Sequence, residues 1–304
     1  MQHEEFSFKA KNCCTFLPTA DDVSGPGEVM LAVMSVLSTE HGGTDAPVLQ
    51  WLWEYVREEH EVVLLSPYLP VCFAFLTHVL LCAPFLALDA LAGVCQRVQL
   101  WRISAGSGPP PSLQQWSDCF WRVLYRYLSA VLPATALFQA LRSPALPELA
   151  PSCWRLFVEV VACFLLFDTL FFLWHLVMHR VPWLYRHVHQ LHHQHRIPFA
   201  LAAQDASSAE LLSLLLLALS SAWLVGCHPL SEAFFHLFNS WLAVEDHCGY
   251  DLPWALHRLL PCLGGAPFHQ AHHIFHSGNY APYFTHWDHL FGTYRASGQK
   301  SRPN

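Results

Sequence analysis

Charge is what this chain has least of. Asp, Glu, Lys and Arg make up 13% of its 304 residues, while 53% are hydrophobic. An ordinary soluble domain carries about 25% charged residues, so the deficit points to a membrane protein. The length allows one integrated domain. There is no basic stripe and the formal net charge is -7, so no nucleic-acid partner is expected. None of the 11 cysteines forms a Cys-x-x-Cys pair. Most sit in apolar runs (Cys72, Cys82, Cys163, Cys227), where a thiol behaves as a small hydrophobe, so a disulfide framework is not expected. No Asn-x-Ser/Thr acceptor occurs. Residues 1–45 lack the apolar core of a cleavable signal peptide and read as a loosely ordered tail. G-x-G-x-x-G, Walker and G-x-S-x-G motifs are all missing. The chain is therefore not expected to bind a nicotinamide or flavin itself, and any redox chemistry must draw electrons from a partner.

What is present is long apolar runs. Residues 67–88 contain no Asp, Glu, Lys or Arg and are long enough to cross a bilayer. A breaker-rich loop follows at 104–112. A second, weaker span is read at 123–141, bent at Pro133. A third covers 156–174, interrupted by Glu159 and Asp168. The run 211–227, then Pro229 and 233–244, reads as a helical hairpin, or as a crossing plus a re-entrant helix. The expected fold is an all-α integral membrane protein of about four transmembrane helices, with a fifth or re-entrant helix in that hairpin. Arg97, Arg102, Arg122 and Arg126 in one loop, and Arg180, Arg186 and Arg196 in another, place both basic loops in the cytosol. A helical, histidine-rich cap would then face the cytosol, with the N-terminus across the membrane.

The other surplus is histidine, 21 residues. Seventeen fall between His175 and His289, most of them in three clusters: His175-x-x-x-His179, His189-x-x-His192-His193 and His269-x-x-His272-His273. Neutral imidazole is the commonest side-chain metal ligand. On a helix, positions i, i+3 and i+4 share a face, so these eight nitrogens would point inward together. His247, after the hairpin, is read as a ninth ligand. Nine imidazoles can furnish two ions. His236 lies 11 residues earlier on the same helical face and is read as an additional ligand or a supporting group. Asp168, seven residues before His175, needs a partner in a membrane. Either it orients a ligand imidazole or it bonds a neighbouring helix. Spacing alone leaves Zn, Cu, Fe and Ni open. Structural zinc fits poorly because its sites close with four ligands, often cysteine, so a redox metal with an open position, iron foremost, is expected. Phe171, Phe172, Trp174, Trp183, Tyr185, Phe284 and Trp287 surround the clusters, either lining a ligand slot or forming an interfacial belt.

With HxxxH, HxxHH and HxxHH in this order, the chain resembles the fatty acid hydroxylase/sterol desaturase superfamily. Flanking strings are similar to its sterol side-chain-hydroxylating branch. They are Leu166-Phe167-Asp168, Val181-Pro182-Trp183-Leu184-Tyr185-Arg186, Cys227-His228-Pro229-Leu230, Val244-Glu245-Asp246-His247, and 281–288 from Ala281 to Asp288. The likeness covers roughly 49–295. It implies a membrane-embedded sterol hydroxylase domain over 46–298, with short tails at 1–45 and 299–304. It implies a di-iron centre held by His175, His179, His189, His192, His193, His247, His269, His272 and His273, although a purified sample can exchange iron for zinc. It also implies O2 as co-substrate. Electrons from NAD(P)H would arrive through membrane electron-transfer proteins, a cytochrome b-type donor or a reductase. The resemblance implies the endoplasmic reticulum membrane, with the metals facing the cytosol, and cholesterol as substrate, oxidised at the tertiary carbon of its side chain. A 4-methylsterol oxidase, a sterol desaturase or a fatty-acyl hydroxylase would share the chemistry. A membrane metal transporter and a non-catalytic sterol-binding relic are readings from other classes.

Overall fold

In a bilayer every backbone polar group must be satisfied within its own segment, which favours unbroken helices. The computed structural model, which describes residues 47–104, 106, 108–142 and 146–296, is built that way: helices and loops, no strand, and two isolated bridge pairs. The expected tails, 1–45 and 299–304, lie outside the described residues. Helix α1 (Pro47–Glu59) and the single turn α2 (Glu61–Leu64) lead into α3 (Leu69–Ala92). The buried residues of α3 are Val71, His78, Cys82, Phe85, Asp89 and Ala92, a stripe at intervals of three, four and seven. On the other side Phe73, Leu76, Leu80 and Leu91 are exposed. That is the surface of a helix packed along one side and open to lipid on the other.

After α4 (Gln96–Trp101), a capping box at Ser112 and Gln115 starts α5 (Leu113–Arg126). The chain continues through one π turn (Tyr127–Val131) into α6 (Leu132–Arg142). Pro133 explains the widened turn: it has no N–H for the carbonyl four residues back, and its ring pushes that carbonyl aside. The run expected as a span at 123–141 is therefore the second half of this interrupted helix. Among the described residues, three helices are long and apolar enough to cross a membrane: α3, α7 (Cys153–Arg180) and, after the short α8 (Pro182–Leu184), α9 (Ser208–Val225).

The hairpin expected from 211–244 is formed. Helix α9 ends on Gly226 in the left-handed conformation (φ 72°), and α10 (Pro229–His247) starts three residues later. His228 caps α10, its Nδ1 accepting from the Leu230 N–H, and Pro229 occupies the first turn. Helix α10 carries Glu232, Glu245 and Asp246 and is not among the three candidate spans. It packs against α3 and α7, and against α12 (Gly265–Phe275) beyond the single turn α11 (Leu256–Leu259). The last helix is α13 (His286–Leu290).

Helices in lipid gain little from apolar contact with one another, so bonds between polar side chains carry specificity. The carboxylate of Asp89 on α3 accepts from Trp116 Nε1 on α5 at 3.0 Å and from the Tyr250 hydroxyl at 2.7 Å. Glu159 on α7 accepts from Arg155 Nε at 2.7 Å and from the His228 N–H at 3.1 Å, which ties the start of α7 to the start of α10. Each intramembrane charge is thus used as a tie.

Candidate metal centre

The histidines lie at one end of the long helices. His175 and His179 close α7; His247 closes α10. His269, His272 and His273 sit on α12, buried along its length. The remaining cluster is not α-helical as its spacing suggests. Residues Tyr185–His189 form a π turn and His192–Gln194 a 3-10 turn, yet His189, His192 and His193 are all buried.

The fold brings all nine ring nitrogen sets into two groups. One contains His175, His179, His189, His193 and His272; the other His192, His247, His269 and His273. Within each group the candidate ligand atoms lie within 4.8 Å of one another. The partition gives the motif its meaning. In each HxxHH, positions i and i+4 join one group and i+3 crosses to the other. His189 and His193 share the first group while His192 serves the second. His269 and His273 share the second while His272 serves the first. Each cluster therefore stitches the two groups together.

The nitrogen geometry fits cations. Nε2 of His175 lies 2.9 Å from Nε2 of His189, which lies 2.9 Å from Nε2 of His193. Nε2 of His247 is 3.1 Å from that of His192 and 3.0 Å from that of His269. His175 Nδ1–H donates to the Tyr280 carbonyl (2.7 Å) and His189 Nδ1–H to Glu210 Oε1 (2.8 Å). With their protons committed there, both Nε2 atoms carry lone pairs, and two lone pairs at 2.9 Å repel unless a cation lies against both. Ligands at right angles about an ion with bonds of ~2.1 Å are separated by ~3.0 Å, whereas tetrahedral ligands are separated by ~3.4 Å. The observed spacings match the right-angled case.

Second partners fix the tautomers of two more rings: His247 Nδ1–H donates to the Ala243 carbonyl and His272 Nδ1–H to the Gly278 carbonyl, both at 2.8 Å. The 278–281 loop that supplies two of these carbonyls is held by Asp288, whose carboxylate accepts from the N–H groups of Tyr280 (2.9 Å) and Ala281 (2.8 Å). Nδ1 of His192, His193, His269 and His273, and Nε2 of His179, are buried without a protein partner among the described residues. Burial and the neighbouring imidazoles push His189, His192, His193, His269 and His273 well below the ordinary histidine range, and burial lowers His272 to about 4. All six rings are neutral, the form that binds metal.

Two expected residues stand elsewhere. Asp168 reaches no histidine. Its Oδ1 accepts from the N–H groups of Tyr283 and Phe284, each at 3.0 Å, because the 281–285 loop passes across that face of α7. His236 joins neither histidine group. It lies 3.9 Å from Glu232 on the adjacent turn of α10 and lines a cavity. Glu210, which orients His189, was not legible from sequence. Ser207-x-x-Glu210 has the form of a capping box, and Ser207 does accept from the Glu210 N–H at 3.1 Å, but the carboxylate turns to the imidazole instead.

A third group of potential ligands, Cys119, His195 and Asp205, is occupied by protein. Arg122 and Arg126 each bond Asp205 at 2.6 Å and His195 does so at 2.8 Å. Burial opposes ionisation of Asp205, but the bonds from His195, Arg122 and Arg126 hold it below the usual carboxylate range. This cluster anchors the loop after the first HxxHH to α5.

The two histidine groups open onto a cavity between α7, α9 and α10. Its walls include Phe167 and Phe171 of α7 and Leu211, Leu214 and Ala218 of α9. Of the aromatics expected around the clusters, Phe171 lines it. Phe172 instead stacks on Trp287, and Trp183 is exposed and stacks on His187.

Comparison with known proteins agrees with this arrangement. A family model described as fatty acid hydroxylase matches residues 160–293. The chain is 44% identical to human cholesterol 25-hydroxylase, over 84% of this chain and 93% of that protein. It is 42% identical to a cholesterol 25-hydroxylase-like protein of Danio rerio, over 81% and 97% respectively. It is 34% identical to a methylsterol monooxygenase of Aspergillus fumigatus, over 72% and 75%. No solved structure matches. With the matched segment spanning all the clustered histidines, and with relatives this similar over most of their length, the chain belongs to the fatty acid hydroxylase family.

Proposed function

We propose that this protein is a non-haem di-iron monooxygenase that hydroxylates a sterol side chain, converting cholesterol to 25-hydroxycholesterol. The observation that carries the reading is the junction of two neutral-imidazole groups with a cavity walled in part by Phe167, Phe171, Leu211, Leu214 and Ala218. The relatives that are more than 40% identical are named for cholesterol 25-hydroxylation, and the methylsterol monooxygenase is more distant. His175, His179, His189, His193 and His272 would hold one iron, and His192, His247, His269 and His273 the other. Iron held there would supply the O2-activating chemistry that oxidation of an unactivated C–H bond needs, with the electrons coming from a partner.

The protein's own part is positioning and exclusion. Glu210, the Tyr280 and Gly278 carbonyls and the Ala243 carbonyl keep Nδ1 protonated and Nε2 free on four rings. Phe167, Phe171, Leu211 and Leu214 exclude water and accept a hydrocarbon chain beside the nitrogens. Electrons derived from NAD(P)H would come from a membrane partner, a cytochrome b-type protein or a reductase. The endoplasmic reticulum membrane, with the histidine end of the helices facing the cytosol, is the location that fits such a donor. A transporter fits less well, because transporter ligands sit near mid-membrane between repeated halves, whereas these gather at the helix ends.

Product analysis tests the assignment. The purified protein, given cholesterol, a reducing partner and isotopically labelled O2, places the label on the terminal tertiary carbon of the side chain. Label on the ring methyls, or on fatty acids alone, contradicts the assignment and favours the methylsterol or fatty-acyl alternatives.

A further inference from the structure

Two cysteines that the metal centre does not use meet at the other end of the same helices. Cys163 lies on α7, 12 residues before His175, about 18 Å away at the α-helical rise. Cys227 lies in the turn between α9 and α10. The two are 64 residues apart in the chain, yet their Sγ atoms stand 3.0 Å apart. Even two carbon atoms in ordinary contact are separated by about 3.5–4.0 Å. Cys163 is fully buried and Cys227 is partly exposed. Among the described residues, neither belongs to a group of three or more potential metal ligands.

The backbone builds this approach. Glu159 and Cys163 are four residues apart, so they share a face of α7, and Cys227 and His228 are neighbours in the turn. Glu159 accepts from the His228 N–H at 3.1 Å; one helical turn further along α7, Cys163 meets Cys227. The turn itself is fixed. Gly226 is left-handed, and the N–H groups of Gly226 and Cys227 both donate to the Ala222 carbonyl at 3.1 Å. Three consecutive N–H groups, 226–228, are therefore committed, and they hold Cys227 against α7. Phe167, Ala218, Ala222 and Phe235 pack in the same apolar cluster.

Exposed tryptophans mark where this end of the helices lies. Trp154 is in the first turn of α7 and Trp223 in the last turn of α9, and both are exposed, as suits side chains at a membrane–water interface. Glu210, which holds His189, is at the start of α9. Cys227 follows the end of that helix, so its turn is remote from the histidines.

We propose that Cys163 and Cys227 form a disulfide bond in the mature protein, fastening α7 to the α9–α10 hairpin on the side of the membrane away from the metals. This rests on the orientation given under the sterol-hydroxylase reading. With the histidine end facing the cytosol, the 226–228 turn faces the lumen, where thiols are oxidised. The oxidant is a protein or small-molecule disulfide. The thiolate of Cys227, the more accessible of the two, attacks one sulfur of that oxidant, forming a mixed disulfide and releasing one thiol. Cys163 then attacks the Cys227 sulfur and expels the second thiol. Two cysteine thiols become one S–S bond, and the oxidant disulfide becomes two thiols that take up both protons. The helices joined are those that wall the cavity. The bond holds their separation at one end, and the histidine groups hold it at the other.

The test is made on the full chain in sealed endoplasmic-reticulum vesicles. Free thiols are blocked with N-ethylmaleimide during denaturation, and the protein is digested without reductant for mass spectrometry. A peptide pair joined through Cys163 and Cys227 is expected, lighter by two hydrogens than the separate thiol peptides and split by reduction. Cys227→Ala removes the pair. Reduction lowers the thermal midpoint of the wild type by at least about 5 °C and leaves that of Cys227→Ala unchanged, a difference that lost packing alone does not produce. Recovery of both cysteines as maleimide adducts from unreduced vesicles overturns the proposal. Detergent-solubilised protein given oxidised glutathione then shows which premise failed: a bond that forms there faults the orientation, and one that does not form faults the geometry. A membrane-impermeant phosphine is expected to spare the bond until detergent opens the vesicles. Reduction in sealed vesicles overturns the luminal placement, and with it the cytosolic histidine end, while the bond itself stands. Neither metal nor product is read here, so failure of the hydroxylase assignment shows separately, in the labelled-O2 experiment.

Discussion

Replacing His192 with alanine lowers hydroxylated product by at least about 100-fold, beyond the 10–100-fold typical of losing a group that only orients a ligand. His192 belongs to the four-histidine group, where its Nε2 lies 3.1 Å from that of His247. Removing it leaves three imidazoles for that ion, while the five-histidine group is untouched. Bound metal in His192→Ala therefore falls toward one ion per chain, and membrane insertion is unchanged because none of the three apolar spans contains residue 192. The check is product formation alongside metal content and membrane extraction. Retained turnover removes His192 from the ligand set.

The second large effect is at Glu210. Its carboxylate accepts from His189 Nδ1 and lies at the start of α9, so it couples an apolar helix to a ring that borders two neighbours at 2.9 Å. Glu210→Ala frees the ring to rotate and removes the acceptor that holds its Nδ1–H. Iron affinity drops about 10–100-fold, and turnover returns in part when iron is supplied in excess. Glu210→Gln keeps an acceptor at that place and loses less. A chelator titration with an iron-sensitive readout measures both variants; wild-type affinity in Glu210→Ala would show that the bond orients nothing of consequence.

The contrast between His192 and Glu210 shows where sequence is informative. HxxxH and HxxHH spacing is local, so residue numbers alone name eight of the nine histidines that the fold gathers, all but His247. What spacing could not give is their division. Adjacent rings on a helix point about 100° apart, and only the position of the opposing element decides that His192 and His272 cross over. Glu210 was hidden by a local pattern with a stronger ordinary meaning, a helix start after Ser207. Asp168 was recognisable as a carboxylate that needed a partner, but its partners are backbone N–H groups 115 and 116 residues away.

The fold was legible where apolar runs were unbroken. Three stretches became the long helices α3, α7 and α9, and the Gly226–Pro229 turn made the hairpin. It was less legible at 123–141, because Pro133 alters the turn before it rather than ending the helix. His236 illustrates a finer point. Its periodicity with His247 placed it correctly on one face of α10, but shared face does not imply shared metal over about 16 Å. The same alignment instead puts it at the opposite end of the cavity.

Metal content is the most direct measure of the central claim. Protein purified from iron-replete membranes, stripped by chelation and reloaded with iron(II), is expected to take up two ions per chain, with hydroxylation recovering in proportion. Any zinc acquired during purification should be displaced without restoring activity by itself. A chain that binds one zinc, takes up no iron and gains no activity would contradict the account.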